Sequence, residues 1–111
     1  MSGARSRTKG HNFERETANK LKAIFPEARR GFQMRDGADA PDVMGTPFWV
    51  ECKVGKRCNI KQAMLQAVEA TDGKHIPVVV TKEDRGMTMV TMELEEWLEV
   101  VDGWRRWAAL P

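Results

Sequence analysis

The stretch Gly37–Lys56, "GADAPDVMGTPFWVECKVGK", decides the fold, because it places Asp42, Glu51 and Lys53 among residues that otherwise build strands and turns. Two short runs, Asp42–Met44 and Phe48–Lys53, flank the turn formers Gly45 and Pro47, the pattern of a β-hairpin. Side chains alternate faces along a strand, so Glu51 and Lys53 share one face while Val50 and Cys52 share the other. The position of Asp42 depends on the turn. A loop of two residues (Gly45–Thr46) or four (Gly45–Phe48) keeps Asp42 on the face of Glu51, whereas a three-residue loop sets it opposite. The surrounding Phe48, Trp49, Val50 and Cys52 imply burial, and buried charges persist when they are paired or bound to metal. An exposed Glu51–Lys53 ion pair, the ordinary alternative, fits that setting poorly.

Two carboxylates held across a hairpin repel unless a proton or cation lies between them, and hard oxygen donors suit Mg²⁺ or Mn²⁺. The backbone carbonyl of Cys52 offers a third oxygen. Lys53, one pleat away, is placed to hold or deprotonate a water and to offset charge on an attacked phosphate.

The remainder of the chain supplies one domain. At 111 residues it closes a single core, with no repeat, low-complexity run or linker between residues 11 and 103. Asn12 is a plausible N-cap for a helix carrying Phe13, Thr17, Leu21, Ile24 and Phe25 on one face, ended near Pro26. Arg29–Met34 forms a short strand candidate ahead of the loop "DGADAP". Asn59–Ala70 has helical apolar spacing, "IPVVVTK" reads as a strand covered on both faces, and "MTMVTM" pairs beside it after the turn "EDRG". A last helix starts around Glu93 and presents Leu94, Trp97, Leu98 and Val101. The predicted order is α-β-β-β-α-β-β-α, an α/β mixed sheet flanked by helices.

The opening residues 1–10 read as a basic arm carrying Arg5, Arg7 and Lys9, without the apolar run of a signal peptide or membrane anchor, so a cytoplasmic protein is expected. Residues 1–30 sum to +5 and the remainder to −3. Cys52 and Cys58 lack zinc-site spacing and are expected to be reduced.

"PDVMGTPFWVECK" resembles the PD-(D/E)xK pattern of the restriction-endonuclease-like nuclease superfamily, Pro41-Asp42 supplying the first half and Glu51-Cys52-Lys53 the second. "KGHNFERE" (Lys9–Glu16) is similar to the opening helix of archaeal-type and phage Holliday-junction resolvases, and "VVVTKEDRGMTMVTMELEEW" resembles their late hairpin and final helix. The resemblance covers roughly residues 9–100 in element order. It implies a restriction-endonuclease-like core in residues 11–111, with Asp42 and Glu51 binding Mg²⁺, for which Mn²⁺ substitutes, and Lys53 positioning water. Glu14 takes the family's outer carboxylate, bound directly or through water, unless a shifted helix gives that role to Glu16. It also implies a glutamine beside the metal, Gln62 or Gln66, and a phosphate-touching lysine, Lys82.

Further phosphate contacts are expected from Lys56, Arg57 and Lys61 after the motif, from Arg29, Arg30 and Arg35, and from the arm, which is expected to order on DNA. No base-reading constellation is visible, so recognition by shape is expected. Three tryptophans in the last fifteen residues exceed what one short helix hides, which suggests a homodimer. The reading is thus a Mg²⁺-dependent endonuclease acting on branched DNA, of the Holliday-junction resolvase kind and phage type, without a small-molecule cofactor. The alternatives are a virus-type replication-repair nuclease or nickase, a non-catalytic DNA-binding module on the same fold, and a plain structural domain.

Overall fold

The computed structural model describes residues 2–32 and 40–111. Its element order is α1 (Ser2–Leu21), β1 (Arg29–Arg30), β2 (Val43–Met44), β3 (Phe48–Gly55), α2 (Ile60–Ala70), β4 (Ile76–Glu83), β5 (Thr88–Met92) and α3 (Leu94–Ala108), the order read from the sequence. The five strands form one mixed sheet in sequence order. All neighbours are antiparallel except the central pair, where β3 and β4 run parallel from Phe48↔Ile76 to Gly55↔Glu83. A parallel pair needs a crossover, and α2 supplies it.

Each face of the sheet has its own apolar layer. On one side α1 lays Phe13 and Ala18 over Val43, Val50, Cys52, Val78 and Val80, with Phe25 meeting Phe48 edge to face at 6.2 Å. On the other, Ala63 and Ala67 bring α2 down on Trp49 and Val79. The expectation that β4 is covered on both faces is met, since Val78, Val79 and Val80 are all buried.

The boundaries of α1 depart from the sequence reading at both ends. The helix begins at Ser2, not after Asn12, so the expected arm is its first half. Asn12 does not cap the backbone; its Oδ1 accepts a hydrogen bond from Arg15 Nη1 at 3.1 Å. Thr8 Oγ1 donates to the Ala4 carbonyl, and Lys9 pairs with Asp84 at 2.9 Å, tying the early turns to the far end of β4. Helix α1 stops at Leu21, a turn follows, and Ile24 points to solvent at 73% exposure where the spacing predicted burial. The first strand is shorter than expected, Arg29–Arg30, and both Met34 and Arg35 lie outside the described residues.

The hairpin tip is fixed by backbone approach. Gly45 has φ +85°, and a β-carbon there would run into the carbonyl oxygen of Glu27. Thr46 Oγ1 accepts the Phe48 N–H at 3.0 Å, and the Pro47 carbonyl accepts the Ile76 N–H at 3.1 Å. Gly45→Ala therefore combines a disfavoured dihedral with a backbone collision, and we expect it to destabilise the domain by about 3 kcal/mol in denaturant unfolding. Gly73→Ala, at φ +78° with open space around it, is expected to cost only about 1 kcal/mol.

Candidate functional site

Val43 pairs with Val50, and the ladder stops there: the Asp42 N–H also reaches the Val50 carbonyl, so two residues oppose one in a bulge, and the Asp42 carboxyl group turns to that of Glu51. Phe48 opens β3 by pairing with β4, yet relative to β2 the connection behaves as the four-residue loop, one of the two even lengths. Asp42 is held from both sides. Its N–H donates to the Val50 carbonyl at 2.7 Å, and its own carbonyl accepts the Gly31 N–H at 2.8 Å. Its Oδ2 accepts the Cys52 N–H at 2.8 Å, which fixes the carboxylate as well as the backbone.

Glu51 sits half-buried opposite it. The indole N–H of Trp49, two residues earlier on the same strand face, donates to Glu51 Oε1 at 3.1 Å. Burial, followed by the charge of Asp42 and a hydrogen bond between the two carboxyl groups, raises Glu51 from 4.5 to about 7. Trp49 and the Lys53 ammonium pull in the opposite direction without offsetting those causes. The two acids are thus close enough that a proton or a cation must mediate between them.

Lys53 is exposed on the Glu51 face and lines a cleft of about 230 Å³ with Arg57, Gln62 and Gln66. A neighbouring cleft of about 500 Å³ is lined by Glu51, Gln66, Glu69 and Ala70. Gln66 lines both clefts. Gln62 is engaged elsewhere. Its N–H donates to Asn59 Oδ1 at 3.1 Å, and its Oε1 accepts from Asn59 Nδ2 at 3.3 Å, closing the N-cap of α2. Two site residues escaped the sequence reading. Glu69 is three residues after Gln66, a helical spacing that could have flagged it, and Trp49 is two before Glu51, where strand alternation carries the same signal.

Glu14 lies on α1, across a cleft of about 450 Å³ that it lines together with His11, Arg30, Pro41 and Asp42. Its Oε1 accepts from Arg30 Nε at 2.9 Å in a partly buried pair, so Arg30, expected to meet phosphate, here neutralises a carboxylate. Glu16 faces elsewhere, into the cleft of Arg5, Lys9 and Lys82. Of the two acids on α1, Glu14 is the one beside Asp42.

Cys52 shows where these charges converge. Its thiol faces α1 and is pushed up to about 12, by burial first and then by the charge of Asp42, with Glu14 and Glu51 adding and a hydrogen bond to Thr17 opposing. In an extended strand the N–H and C=O of one residue project to the same side. The Cys52 carbonyl is therefore directed to the edge where its N–H meets Asp42. The donor set is two carboxylates and a backbone carbonyl, all hard oxygens, which suits Mg²⁺ or Mn²⁺ completed by water. Among the described residues, no three His, Cys, Asp or Glu side chains lie close enough together to form a metal cage by themselves. Both cysteines are free, as expected.

The expected basic residues do not form one surface. Lys82 follows Val78 and Val80 on the α1 face of β4, opposite Lys53, and lines a cleft of about 630 Å³ with Arg5 and Lys9. Arg7, Lys56 and Lys61 are exposed, and Arg29 Nη1 donates to the Glu27 carbonyl at 3.1 Å. No helix of the described residues is long and apolar enough to cross a membrane.

The chain matches no family model and no curated protein, and its fold matches no solved structure.

Proposed function

We propose that the protein is a Mg²⁺-dependent DNA endonuclease of the restriction-endonuclease-like kind, hydrolysing phosphodiesters by activated water. One observation carries this reading: the carboxyl groups of Asp42 and Glu51 meet, with Lys53 one pleat along the Glu51 face of β3. That face combines an anionic pair in need of a cation with an ammonium left free in an adjoining cleft.

Asp42, Glu51 and the Cys52 carbonyl would hold the ion, and Glu14, on the far side of its cleft, would reach it through water. The bound ion supplies Lewis-acid polarisation of a phosphate oxygen and acidifies water. Lys53 orients the attacking water or takes its proton and offsets charge on the phosphate. Gln66 is placed to hold the same water from α2, and Trp49 keeps Glu51 turned toward Asp42. The water oxygen forms the new P–O bond, the bond to the departing sugar oxygen breaks, and that oxygen leaves as a hydroxyl, with no covalent enzyme intermediate. The resemblance to junction resolvases favours branched DNA as substrate. Basic side chains on more than one side of the sheet are consistent with contacting more than one arm.

Three outcomes test this. In titration calorimetry Mn²⁺ binds the wild-type chain, and Asp42→Asn weakens binding by at least tenfold. On gels comparing four-way junction, flap and linear duplex, each with Mg²⁺ or chelator, cleavage requires the ion and favours the junction; Lys53→Ala lowers the rate by about 10²–10³-fold with DNA binding kept. Metal-independent cleavage, or a Lys53→Ala chain that cleaves as fast as the wild type, would overturn the reading. No cleavage despite DNA binding would leave a non-catalytic binding module instead.

The third outcome concerns pH. Glu51 titrates higher in the folded chain than its ordinary 4.5, so its contribution to stability is present below about pH 4.5 and is lost as pH rises through about 7. The metal-free melting temperature should therefore fall across that window. Glu51→Gln flattens the fall, and Mn²⁺ restores stability near pH 8 but not near pH 5, where the proton already occupies the site.

A further inference from the structure

We propose that the cleft lined by Phe32, His11 and Arg30 receives the base of an unpaired nucleotide next to the scissile phosphate, with the Phe32 ring stacked on its face. The inference rests on the nuclease reading for that neighbouring phosphate, and it narrows the substrate to DNA with an unstacked base beside the cut.

Phe32 is a large apolar side chain left 69% exposed. Its position is nonetheless fixed. Gly31, the residue before it, donates its N–H to the Asp42 carbonyl at 2.8 Å, and a β-carbon on Gly31 would run into the carbonyl oxygen of Pro41. The backbone that carries Phe32 is thus clamped to the residue that supplies one of the two carboxylates. Phe32 follows one residue, about 3.8 Å, further on. Its ring lines the same cleft of about 450 Å³ that Asp42 lines.

The other groups of the cleft select what the ring meets. Phe32 shares it with His11, Glu14, Arg30 and Asp42, so the ring stands among polar side chains and not in the wide apolar patch that a protein partner covers. Arg30 Nε is taken up by Glu14 Oε1 at 2.9 Å, which leaves the cleft a poor place for a phosphate. The phosphate belongs at the carboxyl pair and Lys53, where a cation and an ammonium meet it. The part of the nucleotide that suits the cleft is the base, a flat apolar face with a polar edge. Phe32 offers a face to stack on, and the imidazole and carboxyl groups around it offer donors and acceptors to the edge. A base inside a duplex is covered on both sides by its neighbours. Only one that has left the stack reaches the ring, and leaving costs least where the base is already unpaired. A flap, a mismatch or a branch point provides such a base, and a plain duplex does not.

The test is binding of flap oligonucleotides, read by fluorescence anisotropy with Ca²⁺ in place of Mg²⁺, while an abasic residue is moved one nucleotide at a time across the branch. At one position near the branch the missing base weakens wild-type binding by about 5- to 100-fold, the range for one base on one aromatic ring. Phe32→Ala weakens binding of the intact flap by a similar factor and is indifferent to that abasic residue. Phe32→Trp retains both the affinity and the sensitivity, whereas Phe32→Leu, apolar but without a flat face, loses both. Because Phe32 is exposed, the circular dichroism of all three variants matches the wild type. A Phe32→Ala chain that binds as tightly as the wild type, abasic losses that are the same with and without the ring, or a wild type that binds intact and abasic flaps equally would each overturn the proposal. Cleavage of the same flaps by the wild type with Mg²⁺ reads the nuclease function separately. A chain that cleaves without this coupling keeps the nuclease reading and loses the base site; one that shows the coupling without cleaving keeps the base site alone.

Discussion

The structure depends on the contact between Asp42, just ahead of β2, and Glu51 on β3. Two carboxyl groups in hydrogen-bonded contact, one of them raised to about 7, are an arrangement a fold does not keep for stability. Around it the chain spends backbone hydrogen bonds on fixing Asp42, to Val50, Gly31 and Cys52, and an indole N–H on orienting Glu51. Gly31 and Gly45 allow the backbone approaches that hold the hairpin against the turn after α1. The scaffold thus holds the two acids together against their mutual repulsion.

The hairpin was legible in the sequence because alternation and turn chemistry constrain each other. Gly45 and Pro47 suited a loop of even length, which keeps Asp42 on the face of Glu51, while the odd length that would set it opposite stayed open in the sequence. Element order followed for the same reason, each strand being bounded by glycine, proline or a capping residue. The start of α1 was not legible. Ser2, Gly3, Ser6 and Gly10 are weak helix formers, and Asn12 is a strong cap, so local preference pointed to a later start. Tertiary ties such as Lys9 to Asp84 accompany the longer helix. Gln62 and Gln66 were equivalent by helical spacing; only the Asn59 cap, a matter of side-chain geometry, separates them. For α3 the periodicity marks which residues share a face, but not whether the chain covers that face, and here α3 buries none of its residues.

The sheet also divides the molecule's charges. Lys53, Gln66 and Glu69 accompany Glu51 on the α2 side, while Arg5, Lys9 and Lys82 gather on the α1 side. Glu14 looks onto Asp42 from α1 through its own cleft, with Arg30 as counter-ion. Asp42, immediately before the short strand β2, lines the cleft of Glu14 and touches Glu51, which lines the cleft of Gln66 and Glu69, so the carboxyl pair joins the two sides of the sheet.

The connectivity has a kinetic corollary. Val43 meets Val50 through a short local turn, whereas Phe48 meets Ile76 across twenty-eight residues, and loop closure favours the nearer contact. The two acids are therefore brought together early in assembly, before the parallel strand arrives to shield them. Their mutual repulsion acts on the nascent hairpin itself, so ionic conditions influence how fast the chain folds as well as how firmly it stays folded.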